Sequence, residues 1–289
     1  VDIAKEIRKK WKPRSHHAHK GDFGRVLIVA GSKGYAGAAH LAAAACVRAG
    51  AGLVTLAVPE KIYPVLARRE AEVMVKPFPS TRDGSFSMRA LKPILNFVKG
   101  QDVVAVGPGL SQNPETQRLI RRLIPKIQIP LVIDADGLNA LRGHAGVLRQ
   151  CRKQTILTPH PGEFVRLFGG TLTAETSVRR KRAVEVAKLY GIIMLLKGCR
   201  TVVASSDGQV AMNTTGNPGM ATGGTGDILT GIIAALIGQK FSLWNSVRFA
   251  AYLHGLAGDL AAKKFGEVSL KASDLLDFLS QALQKTLRH

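Results

Sequence analysis

Cysteine is scarce in this chain of 289 residues: Cys46, Cys151 and Cys199 are far apart and odd in number. With no CxxC pair and no disulfide framework, a reducing cytosol is the default compartment. Aromatic residues are also few, 6% of the total, and they do not interleave with the basic runs, so a stacking platform for single-stranded nucleic acid is missing. No apolar stretch approaches the roughly 20 uncharged residues of a membrane span. The first 25 residues lack the apolar core of a signal peptide, and Asp2 and Glu6 argue against a transit peptide. Acidic residues are the scarcest of all relative to their partners. Asp and Glu total 20 against 41 Lys and Arg, a formal charge of +21. Runs such as RRKR (179–182) and RRLIPK (121–126) contribute. Such charge suits a nucleic-acid backbone by counterion release. Without aromatic partners, the preferred reading is a solvated basic surface that draws in small anionic substrates. The excess is still larger than such a substrate needs.

Hydrophobic residues make up 46% of the chain, enough for a large core. Near-continuous apolar runs occur at 25–30, 53–58, 102–107, 130–135, 155–159 and 192–197. Helical patterns lie between several of them, at 37–49, 115–124 and 173–190. Unbroken apolar strands alternating with helices predict a mostly parallel sheet covered on both faces. The segment 201–213 reads differently, as a hairpin around Asp207-Gly208. No repeat or linker divides the chain. The expectation is one domain, residues 1–289, folded as a three-layer α/β/α sandwich, with residues 1–19 as a basic N-terminal arm. The HHAH run within that arm (16–19) fits no zinc spacing, and no dedicated metal site is expected.

Four predicted strand ends carry unusual loops: GSKGYAGAA (31–39), GPGL (107–110), DADGLNAL (134–141) and TPHPGEF (158–164). Ligands of open α/β sheets sit beyond the carboxyl ends of the strands, so these loops suggest one shared cleft. The densest glycine cluster is NTTGNPGMATGGTGDILTG (213–231). An apolar helix follows Asp227, and a glycine loop wrapped on a helix N-terminus makes an anion hole suited to phosphate. The spacing is neither a P-loop nor a GxGxxG turn after a first strand, which disfavours an ordinary nicotinamide dehydrogenase. Asp227 has two readings. As an N-cap it contributes about 1 kcal/mol; as a base it deprotonates a hydroxyl that attacks an adjacent phosphoryl group. Asp134 and Asp136 read as turn and cap residues, Glu163 as a cap or ion pair at the next helix start, and His254 as a core histidine. Lys197 is either a phosphate-facing cation or a surface lysine, and an isolated turn histidine such as His160 is ordinarily just solvated.

The string GNPGMATGGTGD, paired with HPGE, GPGL and KGDFGRVLIVAGSKGYAGAA, resembles the NAD(P)H-hydrate dehydratases of the ribokinase-like superfamily. The likeness runs from about Lys20 to Ala262. GTGD alone is shared with sugar and vitamin kinases of that superfamily; the longer string is more specific. The match is nearest to stand-alone bacterial members, since none of these residues corresponds to the epimerase domain fused to some relatives. The resemblance implies repair of the S epimer of hydrated NADH or NADPH, driven by ADP or ATP with Mg2+. Phosphorylating the hydroxyl on the reduced ring makes it a leaving group, which the ring nitrogen's lone pair expels. It also implies that Asp227 activates the hydroxyl, that Gly226 contacts the nucleotide phosphate, and that KGCRT (Lys197, Gly198, Cys199, Arg200 and Thr201) meets the AMP portion. Ala38, Gly109 and His160 match positions that contact the hydrate. A homo-oligomer of four or more copies belongs to the same expectation. A small-molecule kinase using the same Asp227 is the alternative, and a basic nucleic-acid binder on an enzyme fold is a more distant one.

Overall fold

The computed structural model describes residues 2–69, 71–151 and 154–288. The apolar runs fold as β1 (Arg25–Val29), β2 (Leu53–Pro59), β3 (Val73–Phe78), β4 (Val103–Val106), β5 (Leu131–Ile133), β6 (Thr155–Leu157), β7 (Ile193–Leu196), β8 (Val202–Ala204) and β9 (Val210–Met212). They join in one sheet in the order β3-β2-β1-β4-β5-β6-β7-β8-β9. Every pairing from β3 to β7 is parallel, and β8 and β9 form the antiparallel hairpin expected around Asp207-Gly208.

The helices are α1 (Ile3–Lys10), α2 (Ala36–Arg48), α3 (Tyr63–Leu66), α4 (Leu91–Val98), α5 (Pro114–Leu123), α6 (Ala135–Asn139), α7 (Pro161–Phe168), α8 (Thr176–Tyr190), α9 (Thr225–Gly238), α10 (Leu243–Phe265) and α11 (Ala272–Leu287). Side chains alternate across each strand. Val26 and Ile28 of β1 therefore enter the core shared with α2, α9, α10 and α11, while Leu27 and Val29 enter the core shared with α4, α5, α7 and α8. This is the expected three-layer α/β/α arrangement. The helix α9 is apolar all round because it lies between other elements on every side: from Ile228 to Gly238 each residue is buried. Gly231 lets α2 approach it, since a Cβ there would lie 2.2 Å from the Ala42 carbonyl oxygen. Small residues on α2 (Ala42, Ala45) make the same close packing possible.

Two segments differ from expectation. The strand β3 carries Lys76 and Pro77, which break the apolar run; a proline is tolerated there because β3 is an edge strand. Part of the N-terminal arm is a docked helix. The Asp2 carboxylate caps α1, Ile7 is fully buried, the Glu6 carboxylate accepts from Arg248 Nη2 at 2.7 Å, and Trp11 packs on Phe241 with ring centroids 5.1 Å apart.

The chain lays down β1, β2 and β3 in one direction and then returns to place β4 on the other side of β1. Such a reversal opens a crevice beyond the carboxyl ends of β1 and β4. Here the two following loops are tied across it by Gly31 N–H donating to the Pro108 carbonyl (2.8 Å) and Ser32 Oγ donating to the Gly109 carbonyl (2.8 Å).

Candidate active site

Conformational freedom in the glycine-rich segment 213–226 is removed by α10. Asn213 Nδ2 donates to the Ala251 carbonyl and Thr215 Oγ1 to the Tyr252 carbonyl. The Asp259 carboxylate accepts from Gly216 N–H and Asn217 Nδ2, both at 3.0 Å. Gly255 and Gly258 make the groove for this strap: a Cβ at either would lie 2.3 Å from Thr215 Oγ1 or Met220 Sδ, respectively. Thr225 Oγ1 then donates to the Met220 and Thr222 carbonyls and closes the loop onto α9. Gly224 is the N-cap of α9, with φ of 98° that side chains resist. The capping reading of Asp227 is therefore wrong, because Asp227 is the third residue of the helix and lies within its first turn. His254, expected in the core, is only partly buried, with its Nε2 2.9 Å from the Thr225 carbonyl. Burial drives its pKa down to about 4, so it is neutral and its Nε2–H donates to that carbonyl.

The Asp227 carboxyl is half-buried and shares its surroundings with Asp134, Asp136, Glu163 and Lys197. Burial raises its pKa, the three other carboxylates add to the rise, and Lys197 opposes it; the result is about 7. Lys197 is not a surface lysine. Its side chain is 20% exposed, and Nζ lies 2.8 Å from Asp134 Oδ1 and 3.9 Å from Glu163 Oε2. These carboxylates outweigh the burial that opposes its charge and hold its pKa above the ordinary lysine value. Asp134, 1% exposed, departs from the turn-and-cap expectation. It occupies the N-cap position of α6, but its side chain makes no cap bond. Its oxygens instead accept from Lys197 Nζ and from Thr230 Oγ1, each at 2.8 Å. Asp136 does pin its turn, accepting from Ser111 N–H and Asn139 Nδ2.

Gly226 faces this group, because a Cβ there would lie 3.1 Å from Lys197 Nζ. Gly223, just before the N-cap of α9, faces open space. The neighbouring loop 197–201 turns through Gly198 (φ 137°) and Arg200 (φ 51°). It is held from behind by Arg179 of α8, whose guanidinium donates to the carbonyls of Leu196, Lys197 and Cys199. The RRKR run is thus not wholly a solvated surface: Arg179 is 4% exposed. Cys199 and Arg200 stay exposed, and Thr201 Oγ1 closes the turn on the Gly198 carbonyl.

His160 caps α7. Its Nδ1 accepts from the N–H groups of Gly162 and Glu163, and Glu163 Oε2 accepts from His160 N–H at 2.8 Å. Glu163 thereby has the capping role expected of it. Burial, with Lys197 and Arg166 nearby, holds the His160 pKa below the usual imidazole value against the pull of Glu163 and Asp134. With Nδ1 committed as acceptor, Nε2 carries the proton. Ala38 and Gly109 meet across the β1–β4 crevice, a Cβ on Gly109 falling 3.0 Å from that of Ala38. The candidate residues thus form two groups, Ala38 with Gly109 on one side and His160, Lys197, Gly226 and Asp227 on the other. Asp134 lies between them: a Cβ on Gly107 would lie 1.8 Å from its carbonyl oxygen. Sequence reasoning left Asp134 and Thr230 without a functional part.

Among the described residues, no group of three or more His, Cys, Asp and Glu side chains is arranged to hold a metal ion. Each oxygen of Asp134 and Asp136 already accepts a hydrogen bond. A cavity of about 560 Å³ lies elsewhere, along β9 with Ile3, Trp244 and Arg248. It holds none of the titratable cluster. Among the described residues no helix is long and apolar enough to cross a membrane.

A family model described as NAD(P)H-hydrate dehydratase matches residues 26–281. A bifunctional NAD(P)H-hydrate repair enzyme of Moorella thermoacetica is 48% identical over 271 residues, covering 94% of this chain and 51% of that protein. The enzyme of the same name from Escherichia coli is 37% identical, over 96% of this chain and 51% of its own. The chain thus spans about half the length of the curated relatives it matches. An ADP/ATP-dependent NAD(P)H-hydrate dehydratase from Bacillus subtilis, crystallised with ATP and Mg2+, superposes with a TM-score of 0.82 at 28% identity, covering 98% and 97% of the two chains. Phosphofructokinase-2 of Escherichia coli, at 15% identity and a TM-score of 0.58, shares the fold alone, over 84% of this chain and 86% of its own.

Proposed function

Since this chain belongs to the NAD(P)H-hydrate dehydratase family, we propose that it restores NADH or NADPH from the S epimer of the hydrate, with ADP or ATP as phosphoryl donor. The observation that carries this reading is the Asp227 carboxyl, held near a pKa of about 7 in the first turn of a buried helix, beside a lysine and an open glycine loop. A base that titrates near the working pH combines the right protonation state with driving force for proton transfer. Asp227 takes the proton of the ring hydroxyl, and the oxygen attacks the terminal phosphoryl group, breaking its bond to the remaining nucleotide. The ring nitrogen's lone pair then expels phosphate, and loss of the neighbouring ring proton restores the dihydropyridine. The first-turn N–H groups of α9, ahead of the helix's own hydrogen-bond ladder, receive the negative phosphoryl oxygens. A side chain on Gly226 would crowd Lys197 Nζ, 3.1 Å from where its Cβ would lie. Loop 197–201 meets the AMP portion, with ADP as the preferred donor and AMP and phosphate as products. On the hydrate side, Ala38 and Gly109 let backbone approach the dinucleotide, and His160 offers Nε2–H.

Mg2+ bound together with the nucleotide would offset negative charge beside the carboxylates of Asp134, Asp136, Glu163 and Asp227. The reading includes a cytoplasmic location, in keeping with three free cysteines, and a homo-oligomer of four or more copies, which light scattering reads directly.

The deciding experiment follows near-ultraviolet absorbance of reduced nicotinamide in a mixture of protein, hydrated NADH, Mg2+ and ADP or ATP. Nucleotide-dependent recovery is expected, rising with pH through about 7 as Asp227 ionises. Asp227→Asn lowers the rate about 10³-fold and leaves nucleotide affinity within about threefold. Stable phosphorylated product without recovered absorbance would make the protein a kinase.

A further inference from the structure

We propose that Asp134 is the positioning residue of this site: one buried carboxylate that fixes Lys197 and helix α9 to each other and sets the electrostatic field at Asp227. The inference rests on the reading of Asp227 as the base. Asp134 joins parts of the chain that are remote in sequence. Its two oxygens accept from Lys197 at the end of β7 and from Thr230 on α9, at 2.8 Å each. Thr230 is three residues beyond Asp227, and residues at that spacing share a helix face. The bond to Thr230 therefore adds a polar fixed point on the face of α9 that carries Asp227. The other bond holds Lys197 Nζ under Gly226. The Asp134 main chain is wedged against Gly107, at the start of the loop proposed to meet the hydrate. A carboxylate held this firmly, and 1% exposed, does more than satisfy a turn.

Around Asp227, Asp134 and Asp136 come from the segment after β5, Glu163 from α7, and Lys197 from the end of β7. The rest of α9, from Ile228 to Gly238, carries no charge. The helix α10 contributes the neutral His254, and α2 and α11 bring Leu41 and Ala272 to the start of the helix. Burial and then Asp134 are the two largest influences holding the Asp227 proton. Replacing Asp134 by Asn removes a negative charge and also releases Lys197 from its counter-ion, and both changes favour ionised Asp227.

The test is the 13C NMR titration of the Asp227 carboxyl in the ligand-free full chain, alongside the pH profile of kcat. In Asp134→Asn the Asp227 midpoint moves down by at least one pH unit, the acid limb of kcat follows it, and kcat at pH 8 falls at least tenfold. A folded Asp134→Asn protein whose midpoint and limb match those of the unsubstituted protein overturns the proposal. Thr230→Val separates the two parts and serves even where Asp134→Asn does not fold. It should lower kcat at least threefold with the limb in place, and Thr230→Ser should restore the rate. Unchanged kcat in Thr230→Val overturns the positioning role. Because the NMR titration needs no substrate, a shifted midpoint in a protein that restores no reduced nicotinamide sinks the proposed reaction and leaves the part played by Asp134 intact.

Discussion

Loop 197–201 and the strap 213–224 lie at the same end of the sheet, and both turn through backbone that few side chains adopt, yet they are held in opposite ways. From behind, the first is braced by one residue, Arg179, whose guanidinium donates to the carbonyls of Leu196, Lys197 and Cys199, while Lys197 is tied in front to Asp134. The second is spread along α10 through Asn213, Thr215 and Asp259 and seated in a groove made by Gly255 and Gly258. A single brace concentrates the cost of a lesion, whereas a distributed one dilutes it. Removing the brace should therefore hurt the nucleotide side more than any one substitution hurts the strap.

The largest effect is expected for Arg179→Met. Three carbonyls lose a charged donor. The stability cost should be about 3 kcal/mol by urea unfolding, with KM for nucleotide at least tenfold higher. A variant that binds nucleotide normally would show that the loop keeps its shape without Arg179. Asp259→Ala comes next. It frees Gly216 N–H and Asn217 Nδ2 but leaves the other anchors, so about 1–2 kcal/mol is expected, with kcat reduced and nucleotide KM unchanged. An equal rise in nucleotide KM would erase the distinction between the two loops.

Much of this arrangement can be read from sequence, and its limits have physical causes. Parallel strands and the buried α9 announce themselves because burial on all sides demands unbroken apolar runs. The edge strand β3 does not, since an exposed edge admits Lys76 and Pro77. The helix α1 hides among charges, although Ile3 and Ile7 sit one helical turn apart. In the site, glycines and Asp227 are conspicuous because they cluster locally. Asp134 is not, because its partners are 63 and 96 residues away. Arg179 is equally hidden: nothing local separates it from the exposed arginines of the same run.

Asp227→Asn sharpens the comparison from the side of stability. An acid whose folded pKa exceeds its unfolded one costs stability as pH rises, since the fold must then hold a charge that it resists. With Asp227 at about 7 against an ordinary 3.8, that cost accrues between about pH 4 and 7 and is constant above. The Asn variant should therefore melt a few degrees higher at pH 8 and no higher at pH 4. A gain that does not grow with pH would remove the buried charge as its source.

The smallest expected effect on stability separates a helix cap from a ligand contact. His160 accepts two N–H groups through Nδ1, as an asparagine oxygen does at the same position. His160→Asn keeps the cap, so stability should change by no more than about 0.5 kcal/mol, but it deletes the Nε2–H, which lies 3.5 Å from Glu163 Oε1. If that hydrogen meets the hydrate, KM for the hydrate rises several-fold while KM for the nucleotide stays fixed. If both constants stay fixed, His160 serves α7 alone, and recognition of the hydrate falls to the β1–β4 crevice where Ala38 and Gly109 meet.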